Sequence, residues 1–133
     1  MTSGIPLKGC SLLLISNGRA VFTSDKSGIR PLVECVIKFN NIDKKCVLMD
    51  KVVGLAAARI IVYAGFIDFV ITPLASKKAI DLLEKHKINI AYDEFVDCIL
   101  NKNKDSTCPM EQKAEKYKDN SVFFNHVKAL LGY

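Results

Sequence analysis

Arginine is scarce in this chain: Arg19, Arg30 and Arg59 are its only three, and lysines carry the net charge of +5. Nucleic-acid binders usually concentrate positive charge on one element and interleave it with stacking aromatics. Here the lysines share segments with acids, as in "DLLEKHK" and "EQKAEKYKD", which reads as solvated surface and disfavours a nucleic-acid partner. Paired cysteine spacing is missing as well. The five cysteines (10, 35, 46, 98 and 108) form no C-x-x-C, so neither a zinc knuckle nor a disulfide framework is indicated. Cys35, Cys46 and Cys98 lie among apolar residues and read as reduced core positions. The two histidines, His86 and His126, stand in lysine-bearing stretches without a partner motif. Both read as surface residues, and no catalytic triad is indicated. "MTSGIPLKGC" is polar and short before the first apolar run, so it lacks a secretory signal and a cytoplasmic protein is expected. Leu55 to Ala75 is long enough to span a bilayer. It contains Arg59 and Asp68 and is broken by Gly65 and Pro73, so it reads as a buried helix and strand, with no membrane partner.

What remains is the composition of one globular domain covering residues 1–133, half apolar and a quarter charged. "SLLLISNGRAVFTS" predicts a hairpin, because Asn17-Gly18 suits a tight type I′ turn. "SGIRPLVECVIKF" predicts a helix with Pro31 in its first turn. "KKCVLM" predicts a strand running straight into a helix, "DKVVGLAAARIIVYAG", closed by Gly65. "FIDFVIT" predicts a strand, "PLASKKAIDLLEKHK" a helix and "INIAY" a last strand. A helix opened by Cys108 and a final one capped by Asn120 or Ser121 follow. The alternation predicts an α/β domain: a three-layer α-β-α arrangement with a mixed central sheet of about five strands and helices on both faces.

Ligands of such sheets bind at the carboxyl ends of strands, where helices begin. That rule selects Asp50-Lys51 and Cys108 to Glu111. Asp50 reads as an N-cap or as a functional acid. Lys51, in an expected first helical turn, opposes the macrodipole; either its stem packs and its ammonium reaches water, or it holds an anion. Gly54 is costly inside a helix, by about 1 kcal/mol against alanine, and suggests close approach by another backbone or a ligand. Pro109 fits the first helical position, and Cys108 with Glu111 has the spacing of a capping box. A thiol at a helix start is also placed for reactivity.

"SGIRPL", "DKVVGLAAARIIVYAG" and "CPMEQ" together resemble a small uncharacterised prokaryotic family with a cytidine-deaminase-like fold. The similarity runs from about Ser11 to the final helix. Members of that family begin with a longer helix, so the helix before the hairpin is expected to be shortened or absent here. Zinc deaminases carry H-x-E at one helix start and P-C-x-x-C at the next. The resemblance places Asp50-Lys51-Val52 and Cys108-Pro109-Met110-Glu111 at those positions. One thiol remains, the histidine is replaced by Asp50, and Val52 stands where the catalytic glutamate belongs. Zinc-dependent deamination is therefore not expected, and no metal or cofactor is assigned. The expected function is binding of a small nucleotide-like or phosphate-bearing ligand by Asp50, Lys51, Gly54, Arg30, Cys108 and Pro109. The alternative is an enzyme of unassigned reaction with Cys108 as nucleophile and Asp50, Lys51 or Glu111 as acid/base groups. Homo-oligomerisation is left open.

Overall fold

The computed structural model describes residues 9–39, 45–100 and 106–133. The hairpin forms as expected. Strand β1 (Leu12–Ser16) pairs antiparallel with β2 (Arg19–Ser24), and Ser16 faces Arg19 across a two-residue loop. Asn17 and Gly18 have φ of 54° and 77°, the left-handed pair that a type I′ turn requires. Helix α1 (Arg30–Phe39) leads to β3 (Cys46–Asp50), which is antiparallel to β1. The predicted helix start at Asp50 is a correction. A two-residue strand β4 (Val52–Val53) comes first, and helix α2 spans Leu55–Ala64.

Gly65 ends α2 at φ 79°, with its N–H donating to the Ile61 carbonyl, as a left-handed C-terminal glycine should. Strand β5 (Ile67–Ser76) continues through Pro73, so helix α3 (Lys77–Lys85) starts later than its sequence suggests. Ser76 caps α3 by accepting from the Ala79 N–H at 3.2 Å. Strand β6 (Asn89–Val96) precedes helices α4 (Pro109–Lys116) and α5 (Asn120–Leu130). Asp119 caps α5, one residue before the expected Asn120.

The six strands run in the order β2-β1-β3-β5-β4, with β6 also on β5. Strands β3, β4 and β6 are all parallel to β5. Val70 pairs with both Leu48 and Ile90, and Leu74 with both Val52 and Glu94. Strands β3 and β4 therefore share one edge of β5, and β6 takes the other. This mixed sheet with five helices fits a three-layer α/β class. Each of the other four helices packs against α2. Ala56 to Ile61 are all buried, because α2 has the sheet beneath it and helices around it. Buried Arg59 is accommodated inside this layer: Nε donates to Asn120 Oδ1 at 2.7 Å, Nη1 donates to the Ala114 carbonyl, and the guanidinium lies over Phe123. No described helix is long and apolar enough to cross a membrane.

Candidate functional site

A cavity of about 520 Å³ opens where β3 ends. Besides Ser11, its walls come from three places: Asp25 to Ile29 before α1, Asp50 to Val52 with Gly54, Ala56 and Ala57 leading into α2, and Ile99, Leu100, Cys108, Met110 and Glu111 around the start of α4. A second recess of about 460 Å³, at Phe69, Glu84 and Lys87 to Ile90, lies at the amino end of β6, away from the strand ends that usually carry ligands. The cavity thus brings together Asp50, Lys51, Gly54, Cys108 and Glu111. Arg30 and Pro109 are not among its lining residues. Arg30 donates to the Tyr133 hydroxyl at 3.0 Å, and Pro109 is exposed at the first position of α4.

Glu111 is the decisive side chain. Its buried carboxylate accepts the N–H groups of Leu55 and Ala56, each at 2.7 Å. It therefore caps α2 from another helix, where the unpaired amides and the dipole favour an anion. The capping-box reading fails, because the Cys108 N–H donates instead to the Ile99 carbonyl at 2.9 Å. Burial raises the Glu111 pKa, and the two amides and Lys78 pull it part of the way back.

Gly54, the N-cap of α2, is explained by the same contact. A Cβ there would lie 2.6 Å from Glu111 Cδ and 2.8 Å from Oε2. The close approach suspected from the sequence is real, and a carboxylate makes it.

Asp50 is not a helix cap, since β4 and Gly54 separate it from α2. Half-buried at the end of β3, it is pushed up to about 8 by desolvation, with the Lys51 and Val52 backbone N–H groups opposing the shift. Lys51 is exposed and precedes α2 by several residues, so the macrodipole argument for an anion there lapses. Cys108 is half-buried at the N-cap of α4 and its side chain caps nothing. Cys98 is exposed, a correction to its expected core position, whereas Cys35 and Cys46 are buried as expected. His86 is exposed, and His126 is half-buried beside the Tyr117 ring. Asp50, Cys108 and Glu111 face one cavity, yet no three His, Cys, Asp or Glu among the described residues are placed to hold a metal together.

The segment 25–29 is the part of the site that sequence reading passed over. Its signal is "SGIRPL", which points to a helix start near Ser27 or Gly28 and, for the site, to Arg30. Gly28 has φ 72°, which turns the chain into α1 and leaves Lys26 and Ser27 on the cavity wall.

The family model for TM1506, a domain of unknown function (DUF1893), matches residues 5–131. The chain belongs to the DUF1893 family. A solved DUF1893 protein, TM1506 from Thermotoga maritima, is similar in fold, with a TM-score of 0.79 and 30% identity over 91% of this chain and 80% of that one. No curated protein matches the chain. Within this DUF1893 domain, α3 and β6 stand between α2 and α4. Asp50 and Cys108 therefore do not precede successive helices, as the paired deaminase motifs do. The starts of α1 and α2 are successive, and "SGIR" and "DKVVG" there contain neither histidine nor cysteine.

Proposed function

We propose that this domain has a cytidine-deaminase-like fold and binds a small nucleotide-like ligand in the 520 Å³ cavity, without zinc deaminase chemistry. The observation that carries this reading is the convergence of three segments on one cavity at a strand's carboxyl end. Ile29, Val52, Ile99, Leu100 and Met110 offer apolar wall for a planar ring. Asp50 offers a carboxyl group to ring or ribose hydrogen-bonding groups.

We assign the phosphate to the start of α1, where Lys26, ion-paired with Glu34 at 2.7 Å, and Lys51 both line the cavity, because Glu111 already fills the start of α2. A thermal-shift series with nucleoside monophosphates tests the reading. Stabilisation of the wild type that shrinks in Lys51→Ala supports it, and no shift with any of them removes it. The five cysteines, none in a disulfide, support a reducing compartment such as the cytoplasm.

An enzymatic reading has one observation in its favour: Cys108 shares the cavity with Asp50, whose pKa of about 8 suits proton transfer near neutrality. Cys108→Ser would abolish turnover under that reading and leave nucleotide binding intact under the first.

A further inference from the structure

Glu111 lines two cavities. One is the cavity of about 520 Å³; the other, of about 170 Å³, is bounded by Leu55, Ser76, Lys78 and Asp97 among others. Leu55 belongs to the smaller space and Ala56 to the larger. The N–H groups of these two residues are the ones that the Glu111 carboxylate accepts, each at 2.7 Å. The side chain and the first turn of α2 thus form a wall that the two spaces share. Helix α4 is held on either side of Glu111: the Cys108 N–H donates to the Ile99 carbonyl at 2.9 Å, and buried Arg59 donates to the Ala114 carbonyl. At Gly54 there is no room for even a methyl group beside the carboxylate. The wall is therefore fixed in place. Lys26 and Lys51 are the cations lining the larger cavity, whereas Lys78 lines the smaller one and is ion-paired with Glu115.

Without this side chain, the free amides at the start of α2 would draw an anion to this end of the larger cavity. With it, the amides are satisfied from within the chain, and the wall presents a group that accepts hydrogen bonds and donates none. Whatever meets the wall must be apolar, or a donor such as an amino or hydroxyl group. A second phosphate or a carboxylate is repelled there, and a longer group is stopped before it reaches the smaller space. We propose that Glu111 determines specificity: it restricts the larger cavity to ligands whose end away from the phosphate is uncharged. Nucleoside 5′-monophosphates meet that condition; nucleoside 3′,5′-bisphosphates do not. The choice of ligand rests on the cavity being a nucleotide site, whereas the part played by Glu111 can be read with a simple anion alone.

Two measurements on the full chain test this. Calorimetric titration of the wild type should show adenosine 5′-monophosphate binding about tenfold or more tightly than adenosine 3′,5′-bisphosphate, because the added phosphate meets a fixed like charge. Glu111→Ala joins the two spaces and frees both amides, so it should erase or reverse that preference. Thermal melts with formate replacing chloride at constant ionic strength read the wall without any nucleotide. Formate supplies the carboxylate that Glu111→Ala lacks, and should raise the variant's Tm saturably, by about 4 °C at ten times its dissociation constant. The wild type should not respond. A wild type that binds the bisphosphate as tightly as the monophosphate overturns the proposal, and that comparison stands even if the variant does not fold. Equal formate responses of the two proteins, or none in the variant, overturn it as well. A wild type that binds neither nucleotide removes the nucleotide reading instead, and the formate response then decides whether Glu111 fills an anion's place.

Discussion

Substituting alanine for Gly54 tests the contact on which the site's geometry rests. The backbone there, φ −98° and ψ −173°, is open to alanine, and a lowered unfolded-state entropy alone would stabilise by about 0.4–1 kcal/mol. The added methyl, however, occupies the space of the Glu111 carboxylate, 2.6 Å from Cδ. Glu111 must then withdraw and lose both amide bonds to α2. Hydrogen bonds to charged groups contribute about 1.5–3 kcal/mol each. Part of that returns as the carboxylate regains water, which its raised pKa shows it lacks. A net loss of about 2–4 kcal/mol is expected, which lowers Tm by about 6–12 °C for a domain of this size. Glu111→Ala removes the same bonds, so the double variant should be little worse than either single one, with a coupling of about 2 kcal/mol. Urea unfolding of the four proteins gives all the terms. A neutral or stabilising Gly54→Ala, or two additive substitutions, would refute the reasoning.

Asp50 should make stability pH-dependent. Its folded pKa is raised to about 8 from an ordinary 3.8, so across that window the folded state keeps a proton that the unfolded chain gives up. Stability falls as pH rises, by at most about 1.4 kcal/mol per unit, and by less because the group is only half-buried. Asp50→Asn should therefore match the wild type near pH 4 and exceed its Tm increasingly up to pH 8; parallel curves would contradict this. Brief alkylation with mass mapping should label exposed Cys98 well before buried Cys35, whose pKa burial pushes up to about 12. Bound nucleotide should slow labelling of Cys108 and leave Cys98 unaffected; equal protection of both would place the ligand elsewhere.

Features of the fold set by a few adjacent residues were legible in the sequence. Asn17-Gly18 specifies its turn, Gly65 its helix end and Pro109 its helix start through local backbone preferences alone. The start of α2 was not legible, because Val52–Val53 become a strand only by pairing with Leu74–Ala75. Pairing with β6 out to Ser76 and Val96 likewise carries β5 past Pro73. Glu111 misled for a related reason: its spacing from Cys108 imitates a local capping box, while its partners lie on another helix. Gly54 was flagged correctly as a point of close approach, but no sequence pattern names the group that approaches. The packing of α4 and α5 on α2 is likewise set by tertiary contacts, which periodicity does not encode.

The proposed ligand site is tested most directly by amide chemical-shift mapping of the ¹⁵N-labelled domain during titration with nucleoside 5′-monophosphates. The account predicts saturable shifts at Lys26 to Ile29 from the phosphate and at Asp50 to Gly54 and Cys108 from the nucleoside, with Leu55 and Ala56 little changed because Glu111 holds their amides. Saturable shifts centred on another part of the molecule, or none with any nucleotide, would contradict it.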